Sequence, residues 1–104
     1  MRIMAGANLP GLEFEWDRQK AADNARKHGV TFSEAAMAFT DPLGREWPDV
    51  EHSDDERRIT MIGESEGGKL LVVVYTRRRF RLRIISGRRA TRRERQAYEQ
   101  QDQY

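Results

Sequence analysis

Apolar residues recur along this chain with two different periods, and the places where the period changes mark its elements. Phe14 and Trp16 flank Glu15 in a two-residue alternation that predicts a short strand. Asp17 follows as a helix cap, and the helix it opens runs to about His28, where Gly29 is the natural left-handed stop. A second helix starts at once. Thr31 and Glu34 have capping-box spacing, Phe32, Ala35, Ala36 and Phe39 hold the spacing of one buried helical face, and Asp41-Pro42 ends it.

The stretch 40–56 is polar and acidic, with Trp47-Pro48 inside it, and has room for a short edge strand. Strand signals then follow quickly: Arg58–Gly63 with Ile59 and Met61 on one face, a Gly-Gly turn over Glu64–Gly68, and Leu70–Thr76, apolar on both faces as a central strand should be. Phe80–Ser86 sets Phe80, Leu82 and Ile84 against Arg81 and Arg83. A last helix begins after Thr91, with Glu94 completing a second capping box. Residues 1–12 show no period and read as a flexible segment. The predicted class is α+β: an antiparallel sheet of three to four strands, packed against two N-terminal helices and one C-terminal helix, in a single domain over 13–104. Short hairpin connections favour antiparallel pairing.

Composition narrows the chemistry. The chain has 104 residues, 38% hydrophobic and 35% charged, which fits one small domain with an ionic surface. It has no cysteine, so disulfides and thiolate metal sites are excluded. No apolar run is long enough for a membrane span or a signal-peptide core, so a cytoplasmic, non-membrane protein is expected. Net charge is only +2, but it is unevenly spread. Lys69 to Arg95 holds eleven basic residues and one acid, whereas the chain before Lys69 holds eight basic residues and fourteen acids. Ten of the eleven are arginine, whose planar fork fits phosphate and stacks on bases, so the bias points to nucleic acid.

The densest segment is Ser86–Arg95, read as a strand end passing through Gly87 into a helix start crowded by Arg88, Arg89, Arg92 and Arg93. A helix N-terminus already carries partial positive charge, so arginines there are locally unfavourable unless an anion joins them. The plainer alternative is a solvated basic helix paired with acids of this chain or of a partner. Arg81 and Arg83, on the expected exposed strand face, and Arg77, Arg78 and Arg79 in the preceding turn would extend the basic patch; the alternative is that they only blunt a sheet face or edge. Lys27 and His28 suit the negative end of the first helix, and from the residues alone that structural reading is preferred. His52, among the acids of 49–56, has the donors for a hard metal, but a solvated loop or a contact for a basic partner explains it better, so no metal site and no cofactor are assigned. Tyr75 is either core or a stacking surface for a base. Trp16 and Trp47 are read as packing residues.

Taken in order, Phe14-Glu15-Trp16-Asp17, Asn24–Val30, Phe32–Ala35, Phe39, Asp41-Pro42, His52-Ser53, Arg58, Gly63, Leu71–Thr76, Arg83–Ser86, Arg88–Ala90 and Arg92–Arg95 resemble the signature of the BrnT family of type II toxins over about residues 13–99. The resemblance implies a RelE-like fold, and a ribonuclease that halts translation without a metal. It also implies a cognate DNA-binding, BrnA-like antitoxin, with the heterotetramer of two toxins and two antitoxins as the expected assembly. It raises Lys27 and His28 to candidates for proton transfer or phosphate orientation. It makes Arg88 and Arg89 candidates for stabilising the reacting phosphate, with Arg58 in support and Tyr75 as a further member of the catalytic set. The chain departs from the family where Arg77-Arg78-Arg79 replaces an acid-and-glycine turn. The stretch through Leu12 is also atypical and reads as a mis-chosen start codon. Two readings from other classes stand beside the ribonuclease: a non-catalytic nucleic-acid-binding module using the same arginine-rich face, and a protein whose arginines meet an acidic partner.

Overall fold

The computed structural model describes residues 3–5, 12–48 and 57–100. In chain order these form β1 (Ile3–Ala5), β2 (Phe14–Asp17), α1 (Arg18–His28), α2 (Phe32–Met37) with a 3-10 turn over Ala38–Thr40, β3 (Arg45–Pro48), β4 (Arg58–Glu64), β5 (Leu70–Arg78), β6 (Arg81–Arg89) and α3 (Arg92–Gln100). The strands make one sheet in the order β1-β2-β6-β5-β4-β3.

The α+β class and the three helices match expectation, but the sheet has six strands rather than three to four, and it is mixed. β2 lies parallel to β6, with Phe14 opposite Leu82 and Glu15 opposite Arg83. Antiparallel pairing was inferred from tight hairpins, and that inference holds for β4, β5 and β6. β2 is joined to its neighbour by no hairpin, so nothing local fixes its direction. Within the segment expected to be flexible, Ile3–Ala5 pairs antiparallel with β2.

The helix ends follow the sequence closely. Asp17 Oδ1 accepts from the backbone N–H of Gln19 at 2.8 Å and of Lys20 at 3.2 Å. Gly29 closes α1 at φ 67°, where a β-carbon would be strained. Thr31 and Glu34 form the full capping box of α2.

The sheet separates two unequal cores. On one face Phe14, Trp16, Met61, Leu71, Val73, Tyr75 and Ile84 pack with Val30, Phe32, Ala35, Ala36 and Ala38 from the α1–α2 side. On the other, Ile62, Leu70 and Val72 meet Tyr98 of α3. Trp16 stands edge-on to Phe32 with centroids 5.9 Å apart, so its packing assignment holds. Trp47 on the edge strand β3 is 44% exposed and does not share that assignment. Gly63 is required by a close approach: a β-carbon there would stand 2.5 Å from the carbonyl oxygen of Ala38. Because that obstacle is backbone, Gly63→Ala is expected to lower the midpoint of a thermal melt by roughly 5–15 °C.

One irregularity redistributes the arginines. Val74 pairs with Ser86 but Tyr75 pairs with Ile84, which leaves Ile85 as a bulge in β6. Upstream of the bulge, Leu82 and Ile84 face the α1–α2 core, so Arg81 and Arg83 face the α3 side. Downstream, Arg88 is opposite Val72 on the α3 side and Arg89 is opposite Leu71 on the α1–α2 side.

Candidate active site and nucleic-acid interface

α1 is a polar helix, and among its described side chains only Asn24 is buried. Asn24 Nδ2 donates to the carbonyls of Gly87 at 2.8 Å and Val30 at 3.0 Å, while its Oδ1 accepts from the Gly87 N–H at 3.1 Å. A single amide thus docks α1 onto β6 two residues before Arg89. Lys27 and His28 are three and four residues beyond Asn24, on the same side of the helix one turn later, and both are exposed. Beyond them the chain turns into α2, where Glu34 binds Lys69 at 2.8 Å. Lys69 precedes β5 at the sheet end where Ala90 N–H bonds the Leu70 carbonyl at 2.9 Å. Lys27, His28 and Arg89 therefore share one end and one side of the sheet. Arg89 is exposed and has no ion pair among the described residues.

Arg88 belongs elsewhere. Its guanidinium donates to both carboxylate oxygens of Glu94, at 2.8 and 2.9 Å. Glu94 also accepts from the Thr91 N–H at 2.8 Å, and its own N–H bonds Thr91 Oγ1 at 3.2 Å. Arg88 and Arg89 lie in the strand, not at the helix start as expected, because β6 continues through Gly87. At the start of α3 an internal carboxylate already serves as the anion for Arg88. Arg92 and Arg93 lie on its first turn, exposed.

The Arg88 pair holds the Glu94 carboxyl down to about 2 from 4.5, with the Thr91 N–H helping against burial. A carboxylate depressed in the fold stabilises fully above its unfolded value, and that stability fades as pH falls through the folded one. Melting temperature is expected to drop between about pH 4.5 and pH 2, and Glu94→Gln should flatten that part of the profile, because glutamine has no proton to take up there.

Arg58, Thr76, Arg83 and Glu15 form a row across β4, β5, β6 and β2 on the α3 side. Arg83 was expected on an exposed face, yet it is 6% exposed and lies 3.8 Å from the Glu15 carboxylate, itself buried. Burial follows from its place: β2 flanks β6, and Arg83 is interior to the sheet. Arg58 is half-buried. Arg77, Arg79 and Arg81 are exposed at the far end of the β5–β6 hairpin; Arg77 lies 3.6 Å from Glu46 and Arg81 3.4 Å from Glu13.

Tyr75 is a core residue. Its ring stands edge-on to Phe39 with centroids 4.9 Å apart, so it offers no face to a base. Burial, then the hydrogen bond its hydroxyl donates to Glu46, pushes the phenol up to about 12. It is therefore a donor, not a base, at neutral pH. His52 and the acidic loop 49–56 lie outside the described residues. Among those described, no group of His, Asp and Glu is placed to hold a metal, and no helix is long and apolar enough to cross a membrane. The catalytic candidates thus do not form one cluster: Lys27, His28 and Arg89 lie on the α1–α2 side, Arg58 and Arg88 lie on the opposite face at separate points, beside Thr76 and Val72, and Tyr75 is inside.

Residues 16–94 match the family described as "Ribonuclease toxin, BrnT, of type II toxin-antitoxin system". The chain belongs to the BrnT family. The fold agrees: the crystal structure of the Brucella abortus ribonuclease toxin BrnT is similar with a TM-score of 0.57 at 25% identity, over 74% of this chain and 94% of that one. No curated protein matches this sequence. Asn24, which docks α1 in this BrnT-family chain, was visible only as part of the resemblance. Its signal was a buried-type polar residue in a helix otherwise lacking an apolar face.

Proposed function

We propose that this chain is the toxin of a type II pair and cuts RNA at the end of the sheet that carries Lys27, His28 and Arg89. The observation supporting this reading is the Asn24–Gly87 anchor, which docks the helix that ends in Lys27 and His28 onto the strand that ends in Arg89. Internal transphosphorylation needs two kinds of group, one to move protons and one to neutralise charge on phosphorus. An imidazole or amine takes the proton of the RNA 2′-hydroxyl as its oxygen bonds the adjacent phosphorus. The bond to the 5′-oxygen breaks, and that oxygen leaves with a proton. The Arg89 guanidinium neutralises the crowded phosphate in between. The products are a 2′,3′-cyclic phosphate and a 5′-hydroxyl, and the step requires neither a metal nor a cofactor.

In this reading Arg92 and Arg93 hold phosphates next to the cut. Arg77, Arg79 and Arg81 hold phosphates further along, Arg58 and Arg83 set charge on the other face, and Arg88 with Tyr75 supports the architecture. Translation stops in the cytoplasm because its RNA is severed. A BrnA-like antitoxin neutralises the toxin by covering the basic end, in a complex of two copies of each. The alternative, a module that binds nucleic acid without cutting it, uses the same arginines. Incubating the purified chain with a mixed-sequence RNA separates the two. Discrete fragments support the toxin; RNA that is retained but intact, with and without ribosomes, supports the module.

A further inference from the structure

The β5–β6 hairpin is tighter and more exposed than its sequence would favour. Arg78 pairs with Arg81, leaving Arg79 and Phe80 as a two-residue turn. Such turns prefer Asn-Gly, because their residues take left-handed backbone angles. Here Arg79 takes φ 51°, and Phe80 is 91% exposed. Neither residue serves the fold: asparagine or glycine would suit the turn better, and the ring reaches no core.

Their surroundings suit a ligand. Arg78, Arg79, Phe80, Arg81 and Glu15 line an open groove of about 520 Å³. The Glu15 carboxylate is offset by Arg83 at 3.8 Å. The pairs that Arg77 and Arg81 make with Glu46 and Glu13 are long and solvent-exposed, weak enough for a phosphate to replace. A free aromatic face among guanidinium groups is how proteins hold unpaired nucleotides: the ring stacks on a base and the cations meet the backbone. An acidic protein surface would use the arginines but leave Phe80 in water. A duplex would hide its base faces.

We infer that the tip of the β5–β6 hairpin is a second RNA contact, specific for single strands, in which Phe80 stacks on a base and Arg79 and Arg81 hold the flanking phosphates. It lies eight residues along β6 from Arg89, about 26 Å by strand rise, so it grips RNA several nucleotides from the proposed cut. The inference rests on the proposed function only in taking RNA as the ligand.

The test is fluorescence anisotropy with a labelled 2′-O-methyl RNA, which cannot be cleaved, read for the parent chain and for Phe80→Ala, Phe80→Trp and Arg79→Gly. Phe80→Ala is expected to weaken binding roughly 5- to 100-fold, while Phe80→Trp stays within about twofold of the parent. Arg79→Gly, which relieves the turn, should reduce the slope of log affinity against log salt by about 0.7. Thermal melts of the two Phe80 variants should stay near the parent, since that ring is 91% exposed, and Arg79→Gly should melt no lower than the parent. Equal affinity for Phe80→Ala and the parent overturns the proposal, as does no binding by the parent. Tighter Phe80-dependent binding to the duplex, or to polyglutamate, overturns it too. Because this RNA cannot be cut, the two readings fail separately. Cleavage of ordinary RNA without a Phe80 effect on binding rejects the hairpin alone. Phe80-dependent binding without cleavage rejects the ribonuclease alone.

Discussion

Asn24→Ala is expected to melt roughly 10–20 °C below the parent chain, from the loss of about 2–3 kcal/mol. The substitution removes three hydrogen bonds between α1, the following turn and β6, and leaves the Gly87 N–H and the Gly87 and Val30 carbonyls without their partner. Buried backbone groups left unmatched cost more than the bond itself was worth. Nothing else on α1 compensates. Its apolar side chains are alanines, and Ala21 is only partly buried against the core. Asn24→Asp should also be severe at neutral pH, because a carboxylate would face two carbonyl oxygens while keeping only the Gly87 N–H. A calorimetric scan checks both. A shift under about 3 °C for Asn24→Ala would mean that the helix is held by packing instead. The same variant should lose RNA cleavage even below its melting point, since Lys27 and His28 are positioned through this anchor.

Arg89→Ala is expected to reduce the cleavage rate about 10²- to 10³-fold, the usual loss when one preorganised donor to a transition-state charge is removed. RNA affinity should fall far less, by about one phosphate's share of the salt dependence. Arg88→Ala should behave differently. It leaves the Glu94 carboxylate, which also caps α3, without its cation, so its first effect is a loss of stability of about 1 kcal/mol for a partly exposed pair, read as a lower melting temperature. Single-turnover cleavage beside a thermal melt separates the two. Equal loss of rate for both variants at matched stability would contradict the assignment of adjacent residues to opposite faces.

Much of this architecture was legible in the residues. Asp17, Gly29 and the two Thr-Glu boxes announce helix ends through local chemistry that tertiary structure had no reason to override. Leu70–Thr76 reads as central because it is apolar on both faces, and it is. Less visible were features set by contacts distant in sequence. The parallel pairing of β2 with β6 has no hairpin to signal it. The bulge at Ile85 leaves no mark in an apolar run, yet it decides which arginines share a face, turning Arg89 away from Arg81 and Arg83. Phe80 looked like the start of an inward stripe, but the strand begins one residue later and the ring is left at the tip. The density of arginine from 77 to 95 was plain from the sequence. Its division between the hairpin, the α3 cap and the α1 side was not, because a strand's two faces alternate only until a bulge intervenes.

The central claim is that Lys27, His28 and Arg89 cut RNA by attack of its own 2′-hydroxyl. The most direct test incubates the antitoxin-free chain with mixed-sequence RNA in excess EDTA, beside a His28→Ala, Arg89→Ala double variant, and analyses the ends of the fragments. The account predicts fragments carrying 2′,3′-cyclic phosphate and 5′-hydroxyl ends, absent with the variant. Intact RNA in EDTA with cutting restored by Mg²⁺, or fragments that the double variant makes equally well, would contradict it.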